Sequence, residues 1–102
     1  EAVRRQSAIL ETRFALERAQ AVARLGDASK TAKAYEDAYN AAMKVGGEGV
    51  QGELAAIVTG LSAAKLELAR AAYKEGNVST AQDHVNRVLR VDPNNATAQS
   101  LK

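Results

Sequence analysis

Residues 62–95 read SAAKLELARAAYKEGNVSTAQDHVNRVLRVDPNN, and this stretch decides the fold. Leu68, Ala69 and Ala72 continue an apolar stripe from Leu61 at helical spacing. Gly76-Asn77 stops the helix, with Gly supplying the left-handed residue after the last turn. Asn77 or Ser79 can cap a second helix, which runs through Val85, Val88 and Leu89. Asp92-Pro93 ends that helix, because Pro has no N–H to donate and the residue before it avoids helical dihedrals. Asn95-Ala96-Thr97-Ala98-Gln99 begins another.

Upstream, the first of these helices extends back to about Val50, with Leu54, Ile57, Val58 and Leu61 on its stripe. Gly52 and Gly60 weaken its first half; Gly60 either admits a neighbouring backbone or marks a bend. Gly46-Gly47-Glu48-Gly49 is the strongest breaker, since each glycine costs a helix about 1 kcal/mol. Before it lies a helix carrying Ala32, Tyr35, Tyr39, Ala42 and Met43, capped by Asp27 or Ser29. The first helix, Val3 to Leu25, carries two apolar stripes. Val3, Leu10, Phe14, Ala21 and Leu25 form one; Ile9, Leu16, Ala19 and Ala23 form the other. They centre about 150° apart at 100° per residue, which predicts a helix buried on two sides. Arg13 and Glu17 sit at i,i+4 on the remaining polar face.

Gly26-Asp27 and Gly76-Asn77 are 50 residues apart, so a helix, a Gly-polar turn and a helix occur twice. Repeated helical hairpins imply a solenoid. The 22 alanines and four aromatics among 102 residues agree, because Ala loses no side-chain entropy in a helix.

The 34 residues from Ser62 to Asn95 resemble the tetratricopeptide repeat (TPR) family. Leu68-Ala69 stands at the paired first-helix position, Ala72-Tyr73 at the aromatic position and Gly76-Asn77 at the turn. Ala81 is the small residue at the helix crossing, Val85 and Val88-Leu89 fill later core positions, and Asp92-Pro93-Asn94-Asn95 closes the repeat. Lys65 departs from the large apolar residue preferred there. Ala69 and Ala81 are expected to face each other. The earlier hairpin matches more loosely: Leu16, Ala19 and Val22 fall near first-helix positions, Ala32 arrives one residue late, and Tyr35/Tyr39 replaces the aliphatic core. A fainter resemblance, in the alanine-rich helices and glycine-broken linker, is to the region preceding the channel of bacterial secretin-like outer-membrane proteins of pilus and secretion machinery. It implies a periplasmic location.

In TPR proteins the first helices line the concave, ligand-facing side. That implies peptide contacts at Leu66, Arg70, Tyr73 and Lys74 in the second hairpin, and at Arg13, Gln20 and Arg24 in the first. The Asn and Lys set of carboxylate-clamp TPRs is not reproduced. Arg and Lys beside a Tyr suit an extended or helical peptide, Arg pairing bidentately with carboxylates.

Other chemistry finds little support. The chain has no cysteine, which excludes disulfides and thiolate zinc sites. Its net charge of +2 and its short Arg4-Arg5 pair give no nucleic-acid or anionic-membrane signal. No apolar run approaches the roughly 18 residues of a membrane span. His84, the only histidine, sits mid-helix beside Asp83 with no nucleophile motif, and reads as solvated or partly packed. Adjacent Glu36 and Asp37 diverge by about 100° on a helix and read as a solvated face. The glycine-rich stretch lacks the Lys and Ser/Thr of a phosphate loop.

The expectation is an all-α, TPR-like stack of antiparallel hairpins, four long helices and a short fifth, forming one domain over residues 1–102. A degenerate hairpin spans 1–45, a connector 46–49, and an extended hairpin 50–95. A following or capping helix begins at 96. The chain ends in mid-pattern and reads as a piece of something longer. The expected role is non-catalytic binding of a protein or peptide, without cofactor, metal, nucleic acid or membrane insertion. The alternative is a spacer or homo-oligomerisation module.

Overall fold

Glycine takes positive φ without a Cβ clash, and both hairpin turns depend on that freedom. The computed structural model describes residues 2–46 and 48–102. Helices α1 (Ala2–Ala23), α2 (Ala28–Val45), α3 (Gln51–Lys74), α4 (Val78–Val91) and α5 (Ala96–Leu101) follow in order. No strand occurs among the described residues. Gly26 turns α1 into α2 at φ 83°, and Gly76 turns α3 into α4 at φ 79°. At the second turn the Asn77 N–H donates to the Ala72 carbonyl (2.8 Å) and the Gly76 N–H to the Tyr73 carbonyl (3.0 Å). That double closure satisfies carbonyls the helix end would otherwise leave bare.

The caps are now decided. Asp27, not Ser29, accepts from the Lys30 N–H at 3.0 Å. Asn77, not Ser79, accepts from the Thr80 N–H at 3.3 Å. Asn95 starts α5 by accepting from the Ala98 N–H at 2.9 Å. The expected connector at 46–49 includes Gly47, which lies outside the described residues.

Consecutive helices are packing neighbours throughout, and α1 meets α3 only sparsely. The Cα envelope is 49 × 28 × 17 Å, the slab expected of hairpins laid side by side. Its interior is divided. Ala19, Tyr35, Ala38, Ala42, Val50, Ile57 and Leu61 form one core between α1, α2 and the first half of α3. Leu66, Ala69, Val85, Val88 and Ala98 form the other, between the second half of α3, α4 and α5. Helix α3 supplies buried side chains to both and acts as the spine. Ala69 and Ala81 are each fully buried. Leu89 packs at the edge of the second core, Leu68 is half-buried, and Pro93 lies exposed in the closing turn.

Two expectations about burial need correction. Helix α1 is covered on one side only. Ile9, Ala15, Leu16 and Ala19 meet the first core, while Val3 and Leu25 are each 79% exposed and Phe14 is 64% exposed. Among the described residues no element packs against the second stripe. Met43 is likewise exposed rather than core, because Ala38 and Ala42 turn the buried face of α2 away from it.

Candidate functional site

Three of the seven expected contacts come together. Arg70, Tyr73 and Lys74 of α3, Gln82 of α4, and Ser100, Leu101 and Lys102 at α5 line a surface groove of about 570 Å³. Its floor is fixed by hydrogen bonds. The Tyr73 hydroxyl donates to the Leu101 carbonyl at 2.7 Å and accepts from the Gln82 amide nitrogen. That nitrogen also donates to the Leu101 carbonyl at 3.2 Å. Tyr73 is therefore a latch holding α5 against α3 and α4, and only part of its ring faces outward. Arg70 and Lys74 stand exposed one turn apart, with no ion pair or side-chain hydrogen bond to any described residue. The Lys102 side chain adds a third cation, and no Asp or Glu side chain is among the described residues that line the groove.

The other four residues do not join this groove. Leu66 is 7% exposed and belongs to the second core, so its assignment as a peptide contact is corrected. The reason is geometric: α3 is covered on two faces, by α2 and α4, and Leu66 falls on the α4 side. Arg13 is a strut, its Nε 3.0 Å from the Glu53 carboxylate of α3. Gln20 and Arg24 are exposed on α1. The space between α1, α2 and α3 is lined instead by small residues, including Ala23, Gly60, Ala63 and Ala64, with Tyr35.

Sequence reasoning missed a charged cluster that joins α2, α3 and α4. Glu36 of α2 is no solvated residue: it accepts from Arg87 Nε at 2.8 Å and Nη2 at 2.5 Å, reaching from α2 to α4. Lys65 of α3 lies 3.9 Å away, and the Arg87 guanidinium sits 5.3 Å from the Tyr39 ring centroid. The bidentate hydrogen bond to Arg87 holds the Glu36 carboxyl below its ordinary value against the opposing effect of burial, with Lys65 and Arg90 assisting. A groove of about 590 Å³ runs over this cluster, lined by Lys33, Asp37, Asn40, Leu68 and His84 among others. Burial, and next the Lys65 charge, push the His84 imidazole below its ordinary value; Asp83 opposes them weakly. Here opposite charges already satisfy one another, Lys33 with Asp37 at 3.7 Å included, so the cluster staples the two hairpins together. Glu36 and Arg87 are 51 residues apart, a separation at which no sequence pattern signals pairing. Among the described residues no group of three or more His, Cys, Asp or Glu side chains is placed to hold a metal ion.

No family model, curated protein or solved structure matches this chain. Fold and groove define a class only: an all-α stack of helical hairpins with a cationic groove at its α5 end.

Proposed function

We propose that the chain is a non-catalytic protein-interaction module of the tetratricopeptide type, whose groove beside Tyr73 receives an acidic segment of a partner polypeptide. The observation that carries this reading is the unpaired Arg70–Lys74 couple. Like charges at i,i+4 cost a helix a few tenths of a kcal/mol, and an incoming carboxylate removes that cost while gaining a charge-assisted hydrogen bond. The fit of residues 62–95 to the TPR pattern supports the same reading. A secretin-type assembly in the bacterial periplasm is the proposed setting, supported by sequence likeness alone, and it calls for a β-rich channel domain in the parent polypeptide.

The test is a titration with fluorescent peptides of equal length, one rich in Asp and Glu and one rich in Lys. The acidic peptide is expected to bind more weakly as salt rises, and Arg70→Glu with Lys74→Glu to cost at least about tenfold in affinity, roughly 1.4 kcal/mol. Equal binding of the Lys-rich peptide, or no loss in the double variant, overturns the proposal.

A further inference from the structure

The uncovered stripe of α1 is the largest unexplained apolar surface. Val3, Leu10, Phe14 and Ala21 lie on the side of the helix away from buried Thr12 and Ala19, given 100° per residue, and Leu25 follows in the turn just past the helix end. Leu10 is 48% exposed, Phe14 64%, and Val3 and Leu25 79% each. Helix α1 is also held rigidly behind this face, by the first core and by the Arg13–Glu53 bridge.

We infer that this face pairs with the same face of a second copy, the two α1 helices running antiparallel across a two-fold axis beside Phe14. The positions along α1 carry the argument. An axis there sets Phe14 against its own counterpart and Val3 of one copy against Leu25 of the other. The same register brings Arg18 of the second copy onto the same flank as Glu11, within one residue's rise of about 1.5 Å along the axis, and symmetry repeats that pair. Neither Glu11 nor Arg18 has a hydrogen-bond or ion-pair partner among the described residues, so both are available. A two-fold contact is self-complementary and closes, so pairing stops at the dimer. The four large apolar side chains expose on the order of 400–500 Å² per copy, and two copies together approach the ~1,000 Å² at which specific association begins. The dimer leaves the α5 end of each stack free, so the Tyr73 grooves stand at the two far ends and this inference is independent of what they bind.

Sedimentation velocity across micromolar to near-millimolar protein is the test. A concentration-dependent shift from monomer to dimer is expected. Phe14→Asp, at an exposed position, is expected to weaken dimerisation at least tenfold while leaving the helical circular dichroism intact. Glu11→Arg alone opposes Arg to Arg twice and is expected to weaken the dimer; adding Arg18→Glu restores the pairs with their signs exchanged. A monomer throughout the range overturns the inference and leaves the face to a segment of another origin. A dimer indifferent to Phe14→Asp, or one that the charge exchange fails to rescue, overturns it too.

Discussion

The hydroxyl-bearing end of the Tyr35 ring occupies the space where a β-carbon on residue 60 would stand, so Tyr35 of α2 and Gly60 of α3 fit only as a pair. Tyr35 is 7% exposed and central to the first core, which leaves its ring little room to retreat. Of the two roles open to Gly60 in the sequence, a bend or a close approach, it serves the second, and what approaches is a ring rather than a backbone. Gly60→Ala is expected to cost about 1–3 kcal/mol through overpacking, despite the better helix propensity of Ala. Urea unfolding checks this, and pairing Gly60→Ala with Tyr35→Leu should lose less than the two costs added. Gly52→Ala, in the same helix but facing open space, is expected to gain up to about 1 kcal/mol instead.

Glu36 and Arg87 give a second measurable quantity. Their side chains are 25% and 23% exposed, so the pair is only partly screened. A double-mutant cycle with Glu36→Gln and Arg87→Met is expected to return a coupling of about 1 kcal/mol. The folded carboxyl titrates below the unfolded value of 4.5. The unfolded chain thus binds the proton first, and the contribution is complete above that value and fades as pH falls toward the folded pKa. Glu36→Gln should remove this part of the acid sensitivity in thermal melts run at several pH values.

His84 acts at a higher pH with the same sign. Its folded imidazole titrates below the ordinary 6.5, so just under that value the unfolded state carries more protons than the folded one. Stability is therefore expected to decline as pH drops through about 6.5 and to level off once the folded ring protonates. His84→Gln should flatten that segment of the stability–pH curve and leave the Glu36 segment unchanged.

Ser62 is buried in α3, and its hydroxyl has no hydrogen-bond partner. Ser62→Ala removes an unsatisfied polar atom from the interior and improves helix propensity. A gain of up to about 1 kcal/mol is expected, seen as a rise in Tm of several degrees for a domain of this size. A fall in Tm would show that the hydroxyl is satisfied after all.

Much of the architecture is legible along the chain because it rests on local chemistry. Gly26 and Gly76 mark turns through a backbone preference of single residues, Asp27 and Asn77 cap through side chains that reach three residues ahead, and Pro93 stops α4 by lacking a donor. The groove is only partly legible. Arg70, Tyr73 and Lys74 share one stretch of α3 and line one groove, whereas Leu66, placed among the contacts by the resemblance, is buried in the second core, because a position in a repeat frame does not say which neighbour will cover it. Leu66 and Ala69 belong to a different core from Ile57 and Leu61, and nothing in α3 itself separates the two sets.

The order of the elements, the α-helical class and the positions of the turns follow from the sequence by itself, since each depends on residues within about four positions of one another. Tertiary structure alone decided which stripe of α1 is buried, that Tyr35 sits on Gly60, and that Glu36 is stapled to Arg87. These are contacts between residues distant in the chain, and whether an apolar stripe is core or surface depends on a neighbour that the stripe does not encode. Helices α2 and α3 supply that neighbour on one side of α1; among the described residues no element lies against the other.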